Sequence, residues 1–321
     1  MNEFQLIDFL AKDFPVYQKN VQKGIGDDCA VWKGGKKYIV FTTDTMVEGD
    51  HFLKQWFSPE QIGARLAEIN LSDIAAMGAS PKFLFVSLIL DKQTSPEWCH
   101  KVYQGIKKSI TPYKISLLGG NITHGKTLSL TASVIGESLY KPIYRSGARH
   151  GDLLAITGTV GDACVARLLL KQNDTPVPAL FKKLAEPKAR IKEAQIIKKY
   201  ASSMIDISDG IASEARHIAK ESETGVSVLA DKLPFSKAAL NAEPQIRVSL
   251  VDCALRGGED YELMFTATEK NYNKLIKEYK LKTPLTVIGT IIKKKKYCYQ
   301  QDSKEYELPS GFDHFQQNIN L

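Results

Sequence analysis

Carboxylate side chains gather at a few places in this sequence where apolar runs end. Residues 42–52 combine acidic side chains, Thr hydroxyls and His51, directly after residues 37–41, whose β-branched and aromatic side chains predict a strand. The other carboxylates of this kind, in two turns and one predicted helix, are Asp27, Asp28, Asp73, Asp206 and Asp209. Because a buried carboxylate is costly without a partner, this pattern in a chain of net charge +7 predicts bound hard cations and, through them, phosphate.

Several of these side chains also have a simpler interpretation. In the helix predicted over residues 58–77, Asp73 falls on the apolar stripe, where a buried salt bridge or a loop cap is the alternative to a metal. Asp209 precedes a predicted helix, so it could be the N-cap of that helix. His51 could be a core histidine, although its place beyond the acidic strand end favours contact with a substrate.

The composition limits the class of protein. At 321 residues the chain is long enough for two domains, and its apolar fraction of 43% is that of an ordinary globular protein. The positive charge suits an anionic ligand, but no aromatic and basic module accompanies it, so we expect no nucleic-acid binding. The five Cys form no Cys-x-x-Cys pair, which argues against a zinc site or a disulfide framework. Without a signal peptide or a long apolar run, we expect a cytoplasmic protein with no membrane span.

The order of predicted elements indicates an α+β fold with two domains, residues 1–145 and 146–321, because a pattern of strand, glycine turn and helix restarts after Ser146. Ser-Pro-Glu at Ser58 and at Ser95 predicts two helix starts. The sequence also predicts strands over residues 83–90, 128–135 and 204–207, a short buried strand over 115–118, an alternating strand over 261–265 and a helix over 187–200.

Glycine turns ahead of helices could present backbone N–H groups to phosphate. The candidates are Gly119 and Gly120, residues 158–161, and Gly257 and Gly258. Each is a weak signal by itself. The sequence contains no G-x-x-x-x-G-K-[ST] motif, and Gly24-Ile25-Gly26 lacks the third Gly of a dinucleotide-binding fingerprint. We therefore expect neither a P-loop enzyme nor a Rossmann dehydrogenase.

Longer motifs point to a family. The chain resembles the thiamine-monophosphate kinase family in six segments, which are Gly26-Asp27-Asp28, residues 43–52 (TDTMVEGDHF), residues 70–79 (NLSDIAAMGA), residues 206–210 (DISDG), residues 257–263 (GGEDYEL) and residues 311–315 (GFDHF). These matches occur in order over nearly the whole chain, and several exceed five residues.

The resemblance implies the fold of the aminoimidazole ribonucleotide synthetase superfamily. In that fold an N-terminal domain with a mixed or antiparallel sheet pairs in a homodimer, and the C-terminal domain is an α/β sandwich. The resemblance also implies that the γ-phosphate of ATP, bound near the domain junction, passes directly to thiamine monophosphate to give thiamine diphosphate. Because the attacking oxygen is already anionic, we expect no general base, and several Mg²⁺ ions would offset repulsion between the two anions.

The resemblance further implies roles for individual residues. The expected Mg²⁺ ligands are Asp27, Thr42, Thr43, Asp44, Asp73, Asp206 and Asp209. The expected nucleotide contacts are Tyr103, Gly120, Asn121, Arg145 and Ser208. The expected thiamine-phosphate contacts are His51, Glu259 and Phe312. The simpler alternatives are a surface salt bridge for Arg145 and a docked core position for Phe312.

Two positions depart from the family pattern. Asn121 stands where the family usually has Asp, which removes a charge from one Mg²⁺ site, and Phe312 stands where it often has Trp, which removes the indole N–H donor.

The sequence leaves two other functions open. One is another ATP-using activity of the same superfamily, similar to aminoimidazole ribonucleotide synthetase. The other is a sensor that binds nucleotide without turnover, an alternative that Asn121 in place of the usual Asp favours.

Overall fold

The computed structural model describes residues 3–293 and 295–311, which form two units, each built on one β-sheet. The helices are α1 (Glu3–Ala11), α2 (Pro59–Ala76), α3 (Pro96–Ile110), α4 (Asp162–Lys171), α5 (Pro178–Ala185), α6 (Ile191–Ile197), α7 (Ile211–Glu221), α8 (Lys237–Ala242), α9 (Leu250–Arg256) and α10 (Glu269–Glu278). The strands are β1 (Val21–Lys23), β2 (Ala30–Gly34), β3 (Lys37–Val47), β4 (Ser80–Leu90), β5 (Ser116–His124), β6 (Ser129–Ser138), β7 (Leu153–Thr157), β8 (Ser203–Asp206), β9 (Gly225–Leu229), β10 (Leu263–Ala267), β11 (Leu285–Ile292), β12 (Tyr297–Gln301) and β13 (Lys304–Glu307). Within these ranges no helix has both the length and the apolar character needed to cross a bilayer.

The first unit holds a six-stranded sheet in the order β1-β2-β3-β6-β4-β5. Strands β4 and β5 pair in parallel, and the other neighbours are antiparallel, so the sheet is mixed. Helix α2 packs on the sheet and α3 packs on α2. Both helices need glycine where they cross. A Cβ atom on Gly63 would lie 1.9 Å from the Val102 carbonyl oxygen, and a Cβ atom on Gly105 would lie 1.9 Å from the Glu60 carbonyl oxygen.

The second unit holds a seven-stranded sheet in the order β13-β12-β9-β11-β7-β10-β8. Helix α7 packs on β8 and β9, and α9 contacts both α7 and α4. Strand β8 is at the edge of this sheet and contacts α2 of the first unit, so its last residue, Asp206, lies at the junction of the two units. The boundary predicted between residues 145 and 146 falls between the two sheets and stays a prediction.

The predicted helix starts at Ser58 and Ser95 are confirmed. Ser58 Oγ accepts the N–H of Gln61 at 3.2 Å, and the Gln61 side chain accepts the N–H of Ser58 at 3.0 Å, which completes a capping box. Ser95 Oγ accepts the N–H of Trp98 at 3.1 Å. Gly78, at a φ of +62°, follows the end of α2.

The prediction of a short buried strand over residues 115–118 followed by a glycine turn is wrong. Strand β5 continues through Gly119 and Gly120, and all its residues are exposed, because it is the edge strand of the first sheet. A Cβ atom on Gly120 would lie 1.6 Å from the Val86 carbonyl oxygen of β4. The glycine therefore allows close pairing of two strands and does not form a turn.

Two other local predictions need correction. The helix expected over residues 187–200 is confined to α6, with loop residues before it. The strand expected to alternate over residues 261–265 begins at Leu263, and all its residues are buried, because β10 lies between β7 and β8 and is covered by α10. The short elements β1, α5, β9, α8, α9, β12 and β13 have no clear sequence periodicity and are not predicted.

Candidate active site

A cavity of about 360 Å³ lies at the junction of the two units. The end of β3, helix α2, the end of β8 and the loop after α9 contribute to its wall. Most of the site residues expected from the sequence line it, namely Asp27, Thr42, Thr43, Asp44, His51, Asp73, Arg145, Asp206, Ser208, Asp209 and Glu259. The fold thus brings together residues that are distant along the chain.

Three carboxylates form a compact cluster in the cavity wall. One carboxylate oxygen each of Asp28, Asp73 and Asp206 lies within 4.8 Å of the other two. Ser72 Oγ donates to Asp206 Oδ2 at 2.6 Å, and Thr42 Oγ1 donates to Asp73 Oδ2 at 2.5 Å. Because these carboxylates come from a turn, from α2 and from β8, the packing of the two units creates the cluster.

Alternation along β3 separates its polar side chains between two faces. Thr42 and Asp44 share the face that α2 covers, where the Asp44 N–H donates to Asn70 Oδ1 at 3.0 Å. Thr43 points to the opposite face, and its Oγ1 lies 2.9 Å from Ser133 Oγ. Thr42 is therefore the threonine beside the carboxylate cluster, and a Mg²⁺-binding role for Thr43 stays a prediction.

Burial raises the pKa of the carboxyl groups in this cavity. The pKa of Asp206 rises to about 8 and that of Asp209 to about 7, first because burial disfavours the charged form and then because neighbouring carboxylates repel it. Burial, followed by the charges of Asp44 and Asp206, raises the pKa of Asp73 well above its usual range. Without a cation, the cluster therefore holds protons at neutral pH.

The donor atoms of this cluster fit Mg²⁺. Carboxylate and hydroxyl oxygens are the ligands that Mg²⁺ prefers. Asp28 Oδ2 is buried and has no hydrogen-bond partner within the described part of the chain. A buried group of like charges is costly unless cations neutralise it, so the arrangement favours binding a cation over a purely structural role.

Arg145 is a positive side chain within this acidic cavity. Its Nε and Nη2 both donate to Asp28 Oδ1, at 2.9 and 2.6 Å. The pair is largely buried, with the Asp28 side chain 1% exposed, so it is not the surface salt bridge that was the simpler alternative. A guanidinium oriented in this way can offer its remaining N–H groups to phosphate oxygens.

Asp209 is not the cap of α7, which its sequence position made an alternative. The N-cap is Gly210, without a side-chain hydrogen bond. The Asp209 N–H instead donates to Glu214 Oε1 at 2.7 Å. The helix start therefore does not use the Asp209 carboxylate, which lines the cavity.

Sequence reasoning gave no individual site role to several residues that line the cavity, among them Asp28, Arg167, Glu214 and His217. Asp28 belongs to the same Gly-Asp-Asp turn as Asp27, so that motif was a signal that could have included it. The other three lie within helices α4 and α7. Their spacing does not distinguish them from ordinary polar positions of an amphipathic helix.

Three of the expected nucleotide contacts do not line the cavity. Tyr103 is on α3, and Gly120 and Asn121 are on β5. The sheet register aligns Asp44 of β3 with Gly120 across β6 and β4, which places them three strand spacings, or about 14 Å, apart. Phe312 lies outside the described residues.

The turn at residues 158–161 was one of the weak candidates for binding phosphate. The N–H of Gly158 donates to the Pro284 carbonyl at 2.9 Å, and the N–H of Gly161 donates to the Asp260 carboxylate at 3.0 Å. These donors are therefore used within the fold. Of the three glycine segments that were candidates, the one containing Gly257 lines the cavity.

Comparison with known proteins first gives the class to which this fold and site belong. Residues 26–138 match the family described as AIR synthase related protein, N-terminal domain. The chain also superposes on a solved structure of AaThiL complexed with AMPPCP and TMP, with a TM-score of 0.86 and 33% identity over 98% of this chain and 97% of the other. The two-domain α+β fold of the aminoimidazole ribonucleotide synthetase superfamily is thereby confirmed.

Two curated relatives then identify the family. The chain is 37% identical to the thiamine-monophosphate kinase of Buchnera aphidicola subsp. Acyrthosiphon pisum, over 98% of each chain. It is 33% identical to the thiamine-monophosphate kinase of Aquifex aeolicus, again over 98% of each chain. The chain belongs to the thiamine-monophosphate kinase family.

Proposed function

We propose that this chain is a kinase that uses ATP to convert thiamine monophosphate into thiamine diphosphate, the last step in the biosynthesis of that product. The buried carboxylate cluster beside Arg145 carries the proposal, because it can collect cations and phosphate groups in one cavity. The AaThiL structure with AMPPCP and TMP supports it, because AMPPCP is an analogue of ATP. A cytoplasmic location, where ATP and Mg²⁺ are supplied, belongs to the same proposal.

The reaction joins a phosphate oxygen of thiamine monophosphate to the γ-phosphorus of ATP and breaks the bond from that phosphorus to the bridging oxygen, so that ADP leaves. The attacking oxygen is anionic at neutral pH, so no side chain has to remove a proton. The protein has to hold two anions in line. Bound Mg²⁺ would supply positive charge to the phosphate oxygens.

The residues of the cavity would divide this work. Those proposed to hold Mg²⁺ are Asp27, Thr42, Thr43, Asp44, Asp73, Asp206 and Asp209. Arg145, oriented by its two hydrogen bonds to a neighbouring carboxylate, would bind phosphate oxygens of the nucleotide, and Ser208 would contact it too. His51 and Glu259 line the cavity and would contact thiamine monophosphate, as would Phe312 by resemblance.

The test of this function is the formation of thiamine diphosphate from thiamine monophosphate, ATP and Mg²⁺. We expect product from the wild-type chain and at least about 100-fold less from Asp44→Ala, because the variant loses one carboxylate proposed to hold the Mg²⁺ that offsets phosphate charge. Free thiamine should not react, because it lacks the phosphate nucleophile. Asp174→Ala, at an exposed carboxylate between α4 and α5, is the matched control and should react normally. Failure of the wild-type chain to form product at high Mg²⁺ would overturn the proposal, and ATP binding without turnover would then indicate a sensor.

We further propose that the chain is a homodimer and that the second copy helps to complete the nucleotide site. Strands β4 and β5 expose apolar side chains, among them Phe83 at 36%, Leu118 at 57% and Ile122 at 63%. An exposed strand edge with apolar side chains is typical of an interface. Pairing at this surface would give Gly120 and Asn121 of each chain a place near nucleotide, although they lie far from the carboxylate cluster of their own chain.

Ile122→Asp should therefore convert the dimer into monomers and reduce activity. A charge at the centre of an apolar interface is costly to bury, whereas the exposed side chain contributes little to the fold of one chain. Light scattering would give the mass, and circular dichroism should be unchanged. Leu240→Asp, at a side chain of α8 that is 51% exposed, is the control and should stay dimeric. A wild-type chain that is active as a monomer would contradict this proposal.

A further inference from the structure

We infer that Arg65 is a positioning residue, which orients the Glu259 carboxylate for the substrate from a helix of the other unit. This inference rests on the proposed function, because it takes Glu259 to be a contact of thiamine monophosphate. Arg65 belongs to α2 and does not line the cavity, so it would act through Glu259 and not by touching substrate.

Arg65 is a charged side chain in an almost fully buried position, with 2% exposure. A buried guanidinium is costly unless charged or polar groups pair with it. Its Nη2 forms an ion pair with Glu259 Oε1, its Nη1 donates to the Leu184 carbonyl, and its guanidinium carbon lies 5.9 Å from the centre of the Tyr261 ring. All three partners belong to the second unit, so this side chain crosses the junction.

The loop that carries Glu259 has an unusual backbone. Glu259 has a φ of +64° and Tyr261 a φ of +49°. These values lie in a backbone region that residues other than glycine rarely adopt. The N–H of Glu259 donates to the Ser208 carbonyl at 2.7 Å, and that of Tyr261 donates to the Ile207 carbonyl at 2.9 Å. These bonds fix the backbone, but they leave the three side-chain torsions of Glu259 free.

Arg65 restricts those torsions by binding Oε1, which leaves Oε2 of Glu259 for a ligand. A side chain that is already oriented loses less conformational entropy when substrate binds. Arg65 and Asp73 are both on α2. One rigid helix would therefore fix the position of the Glu259 carboxylate relative to the proposed metal cluster.

The test is a double-mutant cycle with Arg65→Met and Glu259→Gln. We expect each single variant to raise the KM and the calorimetric Kd for thiamine monophosphate by about tenfold, with little change in the KM for ATP. The double variant should bind no more weakly than Glu259→Gln alone, because both changes remove the same contact. Arg65→Lys should recover part of the loss, because it keeps the charge.

The control is Lys188→Met, which breaks another ion pair between α2 and the second unit, formed by Lys188 and Glu68 at 2.7 Å. It should lower the thermal midpoint without changing the KM for thiamine monophosphate. Single effects that multiply in the double variant, or equal rises in KM for both substrates, would overturn the role of Arg65. A wild-type chain without product would overturn the proposed function instead, and the calorimetric cycle would still test Arg65.

Discussion

Replacing Asp73 by Asn should nearly abolish thiamine diphosphate formation and should make the metal-free protein more stable. The substitution removes one negative charge from the cluster with Asp28 and Asp206, and the amide oxygen can still accept the hydrogen bond from Thr42. We expect the rate to fall by about 100- to 1000-fold, the effect of losing one well-placed electrostatic group. In EDTA the thermal midpoint should rise by about 2 °C or more, because Asn, unlike Asp73, does not have to take up a proton when the chain folds and buries it.

The same cluster should set the pH dependence of stability. In the folded chain the pKa of Asp206 is about 8, above its ordinary value of 3.8. The folded protein therefore keeps a proton that the unfolded chain releases, and without metal the free energy of unfolding falls as the pH rises from 3.8 to about 8. In EDTA the thermal midpoint should be lower at pH 8 than at pH 6, and Asp73→Asn should weaken this dependence. Mg²⁺ should oppose it, because a cation favours the ionised carboxylates.

The matched control for Asp73→Asn is Asp174→Asn, which makes the same change at an exposed carboxylate. This control should keep wild-type activity, and its thermal midpoint in EDTA should not rise. Wild-type activity in Asp73→Asn would show that Asp73 is not needed for metal-dependent transfer. A lower thermal midpoint of Asp73→Asn in EDTA would show that proton uptake by Asp73 on folding does not limit the stability of the metal-free protein.

Gly258→Ala should reduce both stability and activity. Gly258 has a φ of +64°, and a Cβ atom there would lie 2.3 Å from the Ser208 carbonyl oxygen. That carbonyl also accepts the N–H of Glu259, so the substitution would displace a proposed nucleotide contact and a proposed substrate contact together. Since a misplacement of about 1 Å can cost about 100-fold in rate, we expect a decrease of that order in kcat/KM.

Gly35→Ala separates the effect of the collision from that of the backbone angle. Gly35 has nearly the same φ, +63°, but no atom lies within 4 Å of a Cβ placed there. We expect Gly35→Ala to lower the free energy of unfolding by about 1 kcal/mol and to leave kcat/KM unchanged. Equal losses of stability in the two variants, with activity retained in both, would contradict the importance of the contact between Gly258 and Ser208.

The sequence alone determined the features that depend on neighbouring residues and on residue type. The starts of α2 and α3 were predictable because Ser58 and Ser95 satisfy backbone N–H groups within one turn of the chain. The cation-binding character was predictable because carboxylates that follow apolar strands need partners. The ordered motifs identified the family, which the comparisons confirm.

The tertiary structure alone decided which of these residues meet. The chain positions of Asp28, Asp73 and Asp206 do not reveal that their oxygens lie within 4.8 Å of one another, because the contact depends on how two units pack. The same packing buries Arg65 against Glu259, and the strand order of the first sheet makes β5 an exposed edge strand. Local propensities act over a few residues, whereas such contacts join segments that are 45 to more than 190 residues apart, so only the folded chain determines them.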